Sequence, residues 1–337
     1  MFTRRSALLG AISGAAIGMV GSRSARAEPI GLKVSHYLPP NHTFHRELTK
    51  WGESLAEQSQ GQLTLNIFPA SQLGPVNRQF DLVRNGVVDI AVGLHGATPG
   101  RFPMADLVAL PYSGPKAGNN SAVTSRRLTE LAPTYLYPEH PGMKVLWMAV
   151  TNPLMVHTSK RPLAKLEDFK GLRVRYAGEQ FAQIIPLLGA TPLAVPPAET
   201  ADSLSKGIID AATFPYEACQ SFDLGTVIKY SLEPGVSTAT FAVAMNPNKF
   251  KSLPADLQQL IDKTTGPAMA ERFGAAFDAS EKAGRAYMTG KGVQISQLAD
   301  AELSRVKEIL APLRDKALGE LEKAGKPGKA FLDAYTA

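Results

Sequence analysis

Apolar and polar positions alternate along this chain with two periods, and the chain switches between them repeatedly. Leu32-Lys33-Val34-Ser35 has period two, which predicts a half-buried strand. A helical pattern covers residues 43–60 and stops at Gly61. Leu63, Leu65 and Ile67 mark a second strand, residues 72–87 a helix through Phe80 and Val83, and residues 89–92 a third strand. Helix 121–135, strand 144–150 and strand 154–157 follow. The clearest run is 166–215. There Arg173 and Arg175 alternate with apolar neighbours, and Phe181, Ile184, Ile185 and Leu188 form one helical face. Gly189 stops that helix. Residues 192–195 read as a strand, 198–206 as a helix and 208–214 as a strand. Strands at 226–230 and 238–245 come next. A long helix spans 254–291, kinked at Gly266-Pro267, with Ala270, Phe273, Phe277 and Ala283 as a core stripe. Two last helices cover 299–317 and 319–334, and no repeats are visible.

Strand-helix-strand order predicts α/β architecture with at least partly parallel pairing. Ligands in such sheets gather beyond the carboxyl ends of the strands. Arg175 and Phe214 end two strands. His36 and Tyr37 lie just past the first, and His95 follows the third in Gly93-Leu94-His95-Gly96. Tyr176, Phe181 and Tyr216 add aromatic surface near the same ends.

Length and charge narrow the function. A chain of 337 residues suggests two domain-sized units. The net charge is +6, but residues 1–27 hold Arg4, Arg5, Arg23 and Arg26 and no acid, which leaves the body at +2. A near-neutral body argues against a nucleic-acid partner. Residues 1–27 read as an export signal: Arg4-Arg5, an apolar run of 14 residues from Ala7, then Ala25-Arg26-Ala27 as a cleavage site. The arginine pair is twin-arginine-like, with the general secretory route as the alternative. Either route leads to the periplasm.

Cys219 is the single cysteine, so no internal disulfide is expected. It reads as a small buried apolar residue, with no activating histidine close by in sequence. His36, His42 and His45 lack the cysteine or carboxylate that a zinc site usually adds. No metal or cofactor is therefore expected. Ser203-Leu204-Ser205-Lys206 matches the acyl-transfer pattern S-x-x-K but has none of its companion motifs. No enzymatic activity is expected.

Several motifs together resemble the DctP family, the extracytoplasmic solute-binding proteins of TRAP transporters. They are Asp168-Phe169-Lys170-Gly171-Leu172-Arg173-Val174-Arg175, Gly189-Ala190-Thr191-Pro192, Glu199, and Gly207-Ile208-Ile209-Asp210-Ala211. Earlier in the chain stand Leu73-Gly74, Gly86-Val87-Val88-Asp89-Ile90-Ala91 and Leu110-Pro111-Tyr112. The resemblance runs from about residue 31 to 290. It implies a two-lobed periplasmic binding protein fold of class II type, with crossing strands and a long helix bracing both lobes. One lobe is expected at 28–155 plus about 238–280, and the other at 156–237 plus about 281–337. It implies that Arg175 grips the carboxylate of a small organic acid, and that the partners are the integral membrane subunits of a TRAP permease. Arg161 matches a basic turn position that can approach the ligand.

Two departures from the family pattern bear on the ligand. Phe214 stands where receptors for polar acids carry Asn or another polar group, and Asn77 stands where an Arg is usual, with Arg78 one step later. Phe214 can pack on an apolar body but cannot serve a hydroxyl or a second carboxylate. This favours a monocarboxylate with an apolar or aromatic tail. A C4-dicarboxylate is the alternative, which Arg161 would favour. A sensor-coupled binding protein or a periplasmic enzyme is the alternative of another class.

Overall fold

The computed structural model describes residues 28–115, 120–176 and 178–337. The expected export signal lies outside them. Among the described residues the strands in chain order are β1 (Ile30–Ser35), β2 (Leu63–Phe68), β3 (Ile90–Leu94), β4 (Lys144–Val150), β5 (Leu154–Thr158), β6 (Arg173–Arg175), β7 (Thr191–Leu193), β8 (Ala211–Phe214), β9 (Tyr230–Ser237), β10 (Thr240–Met245) and β11 (Gln294–Gln297). They form two sheets, β2-β1-β3-β10-β4 and β11-β9-β5-β8-β6-β7. In the first, β1, β2 and β3 pair parallel and β10 runs antiparallel to both its neighbours. In the second, β6 pairs parallel with β7 and β8, while β5 runs antiparallel to β8 and β9. The chain passes between the sheets from β4 to β5 and returns from β9 to β10. Two lobes joined by crossing strands result.

The helices are α1 (Thr43–Gln58), α2 (Gln79–Arg84), α3 (Ser121–Tyr135), α4 (Glu179–Leu187), α5 (Thr200–Ser205), α6 (Tyr216–Ser221), α7 (Pro247–Ser252), α8 (Ala255–Lys263), α9 (Pro267–Gly290), α10 (Asp300–Leu310), α11 (Pro312–Lys323) and α12 (Gly328–Thr336). Helix α1 buries Phe44, Leu48, Trp51 and Leu55, one helical face against the first sheet. His42 caps it, its side chain accepting the Phe44 N–H.

The same corner is built once in each lobe. Gly86 and Gly207 both take positive φ after a short helix. Val88 and Ile209 then bury, and Asp89 and Asp210 turn their carboxylates back onto the N–H of Lys33 and Arg173. Their own N–H groups donate to the carbonyls of those same two residues. Each Asp thus fixes where β3 or β8 starts beside β1 or β6.

Helix α9 joins the lobes. Asp278 accepts the N–H groups of Ser121 and Ala122 at the start of α3. Glu281 accepts those of Tyr216 and Glu217 at the start of α6. Carboxylates at helix N-termini satisfy donors that the helix itself cannot. A Cβ at Gly274 would overlap the Ser121 carbonyl, and one at Gly284 the Tyr216 carbonyl. Two carboxylates and two glycines therefore seat one helix from each lobe on a single rod.

Four expectations need correction. Ala283, expected in the core stripe of α9, is exposed, and Gly284 is buried in its place. The expected kink at Gly266-Pro267 is a full break between α8 and α9, because Gly266 has φ +83 and its N–H turns to the Leu146 carbonyl. The strand expected at 226–230 begins only at Tyr230, the preceding residues closing a 3-10 turn at Leu224–Thr226. The last two helices are three, because Pro312 and the Gly325–Pro327 turn interrupt the pattern. Strand β11 has no sequence signal: Gln-Ile-Ser-Gln carries one apolar residue, and only its parallel pairing with β9 makes it a strand. Helix α12 lies against α3, so the end of the chain returns to the first lobe.

Candidate functional site

Strand β6 is three residues long, and its alternation sends Val174 into the core and both arginines to the other face. Arg173, at the amino end, pairs with Asp210 at 2.8 Å. Arg175, at the carboxyl end, is only 3% exposed. Its Nε donates to the Val195 carbonyl (3.1 Å) and Nη1 to the Thr213 carbonyl (3.0 Å). Its guanidinium carbon lies 3.9 Å from the centroid of the Phe214 ring, a cation–π contact. Burial pulls its pKa down to about 10, and no carboxylate among the described residues contributes to holding the charge. Arg175 is therefore cationic at neutral pH and lacks an anionic partner. Removing such a charge from water costs several kcal/mol unless an anion joins it.

Arg175 opens onto a cavity of about 50 Å³ between the sheets. Its walls include Tyr37 from the loop after β1, Phe214 and Glu217 from the end of β8 and α6, Phe241 of β10, and Phe277 of α9. The phenol of Tyr37 is pushed above its ordinary range by burial, so it stays protonated. Arg175 is the only Lys or Arg in the described lining. An apolar cavity of about 150 Å³ is known to admit benzene, so ligand entry requires this one to widen.

Of the nine residues singled out in the sequence, Arg175, Phe214 and Tyr37 meet here. The other six do not line the cavity. His36 is fully buried; its Nδ1 accepts the Leu38 N–H and its Nε2 stands 3.1 Å from His45 Nδ1. It holds the loop on which Tyr37 sits. Burial, with His45 and His42 beside it, lowers its pKa to about 3. His95 is also buried, 3.0 Å from both Thr240 Oγ1 and His140 Nε2, and stacked on Phe80. Tyr216 is buried with its hydroxyl on Glu233, and Tyr176 packs on the main core. Arg161 is exposed and donates to the Asp168 carbonyl (2.7 Å). Asn77 is exposed on the surface.

Several lining residues have no signal in the sequence pattern. Phe241, Phe277, Leu38 and Glu217 come from segments far apart in the chain, and Phe277 has the spacing of a core residue. Cys219 does have a histidine near it: His157 Nε2 is 3.3 Å from its Sγ. That nitrogen also lies 3.0 Å from the Phe214 carbonyl, and burial drives the thiol pKa well up. The pair is sealed in the core and has no nucleophilic character. No group of His, Cys, Asp and Glu suited to a metal ion occurs among the described residues.

Comparison with known proteins places this geometry in context. The family described as bacterial extracellular solute-binding protein, family 7, matches residues 34–320. The C4-dicarboxylate-binding periplasmic protein DctP of Rhodobacter capsulatus is 25% identical, with all of both chains covered. A TRAP solute-binding protein of Rhodoferax ferrireducens, solved with copurified benzoate, superposes with TM-score 0.86 at 28% identity, covering 91% of this chain and 96% of that one. A TRAP periplasmic solute-binding protein of Bordetella bronchiseptica, solved with (R)- and (S)-mandelate, gives TM-score 0.85 at 30% identity, covering 91% and 98%.

Proposed function

The chain belongs to family 7 of the bacterial extracellular solute-binding proteins, the solute receptors of TRAP transporters, and from there we propose that its ligand is a monocarboxylate with an aromatic tail. The carboxylate pairs with Arg175 in the bidentate manner a guanidinium permits, and the ring takes the space beside Phe214, Phe241 and Phe277. The lobes close over it, and the closed form is what the membrane permease receives, in the periplasm. Among the described residues no helix is long and apolar enough to cross a membrane. We place the lobes at 28–155 with about 238–280 and at 156–237 with about 281–337, with α12 packed back on the first.

The observation that carries this reading is a buried guanidinium with no anionic partner, stacked on a phenyl ring at one end of a largely apolar cavity. Benzoate and mandelate in the two similar structures support it. A C4-dicarboxylate, which the Rhodobacter relative's name specifies, would need a second cation, and the lining contains none besides Arg175. A charge-assisted pair contributes about 1.5–3 kcal/mol net, while micromolar affinity needs about 8 kcal/mol. Ring burial must supply much of the rest.

The test is calorimetric titration of benzoate, mandelate and succinate into residues 28–337 and into the Arg175→Ala variant. Aryl acids are expected to bind, and Arg175→Ala to weaken them by about 100-fold or more. Binding of succinate alone would overturn the aromatic assignment. Equal affinity in the variant would overturn the anchor.

A further inference from the structure

Other ionisable side chains line the cavity besides Arg175, among them His42 and Glu217. Glu217, at the second position of α6, is 2% exposed and lines the cavity with Arg175. Its Oε1 is fully engaged: it accepts the Thr43 N–H (3.0 Å), the Thr43 hydroxyl (2.7 Å) and the Ser221 hydroxyl (3.2 Å). Its Oε2 is buried and accepts no hydrogen bond. His42 Nε2 stands 3.2 Å from that oxygen, but out of the line a hydrogen bond needs. The imidazole cannot swing freely to improve this, because its Nδ1 is held by the Phe44 N–H. Burial also lowers the His42 pKa, while Glu217 beside it acts the other way. A buried carboxylate oxygen left without a donor is costly. Arg175 does not cure it, since the two groups form no ion pair.

We propose that Glu217 Oε2 accepts a hydrogen bond from a ring hydroxyl, so that the receptor selects hydroxylated aryl acids over their unsubstituted parents. This rests on the aryl-acid reading above and names the ligand class more narrowly. The acid group docks on Arg175, the ring lies among the phenylalanines, and the hydroxyl, remote from the acid group, reaches the unpaired oxygen. Fluorine matches a hydroxyl closely in size but has no proton to donate, and a carboxylate oxygen repels it.

Titration of the wild-type chain with benzoate and with its 3- and 4-hydroxy and 3- and 4-fluoro derivatives tests the proposal. One hydroxy isomer is expected to bind about tenfold tighter than benzoate, the size of one charge-assisted hydrogen bond, and the fluoro acid of the same position no tighter than benzoate. Glu217→Gln keeps an acceptor for Thr43 and Ser221 but replaces the other oxygen by a donor. In that variant the hydroxyl advantage should fall to about twofold or less. A role confined to holding α1 against α6 would instead lower the melting temperature and weaken all the acids alike, leaving the ratio unchanged. Absence of a hydroxyl advantage in the wild type, a fluoro acid gaining as much as the hydroxy acid, or an advantage that survives Glu217→Gln would each overturn the proposal. If benzoate binds through Arg175 without that advantage, only this proposal fails. If no aryl acid binds, the aryl-acid reading fails with it. The wild-type series stands alone should the variant not fold.

Discussion

Arg175 and Phe214 act as one unit. The ring covers one face of the guanidinium, so the cation is kept from water on that side and its in-plane donors remain for a carboxylate. Such a contact is worth about 0.5–2 kcal/mol. Phe214→Leu keeps the cavity apolar but removes the π face, and calorimetry should show aryl-acid affinity falling about 2- to 30-fold. Cys219 gives a contrasting prediction. It is fully buried beside His157 with its thiol pKa driven up. A disulfide-exchange reagent should leave the native chain unmodified over hours and react with one thiol per chain once denaturant is added; prompt modification of the native chain would contradict its burial. At this scale the sequence made Arg175, Phe214 and Tyr37 legible, since each sits where an alternating run ends and the rule for open sheets points to strand ends. It could not show Glu217, which matters through contact with Thr43, 174 residues away. His36 and His95 satisfied the same rule and yet turned inward, because position at a strand end does not fix which way a side chain points.

Among the elements, α9 is the one whose chemistry differs most from its pattern. Its stripe of Phe273 and Phe277 announces a core helix, but the features that place both lobes are polar or absent side chains: Asp278, Glu281, Gly274 and Gly284. Gly284→Ala puts a methyl group into the Tyr216 carbonyl, and relief requires α6 to move away. Overpacking of this kind costs about 1–3 kcal/mol. A melting temperature lowered by roughly 2–5 °C is expected, while Gly290→Ala, which meets nothing nearby, should leave it unchanged or raise it. Equal effects at the two positions would show that helix propensity, not docking, is being measured. The sequence also hid β11, whose single apolar residue is no signal, and the break before α9, which depends on a carbonyl of β4. The long βα pattern of both lobes was legible because each strand and helix faces one way and so repeats one period.

For the whole molecule, buried titratable groups set the pH dependence of stability. Burial raises Asp106 from 3.8 and Glu281 from 4.5, each to about 7. Between its unfolded and folded values such an acid takes its proton in the folded chain first, so its contribution is complete at low pH and is lost as pH rises to about 7. Burial lowers His36 to about 3, and His140 and His157 to about 4. These act in reverse: the unfolded chain takes their protons first, and stability is lost as pH falls from 6.5 towards 4. Burial also lowers His42, His45 and His95, so below pH 6.5 six histidines outweigh two carboxylates, and above it only the carboxylates act. Thermal denaturation should therefore show highest stability near pH 6.5–7, with a decline toward pH 5 and a smaller one toward pH 8. Glu281→Gln should flatten the alkaline decline. A melting temperature that climbs steadily down to pH 5 would contradict this balance.

The two seats on α9 are ten residues apart, about 15 Å along the rod. A single residue inserted between them would advance the second seat by 1.5 Å and turn it by about 100°, carrying one lobe round to face away from the other. This stretch, though solvent touches much of it, can change its letters but not its number of letters. Length variation among descendants of this chain should accumulate in the turns and stop between Gly274 and Gly284.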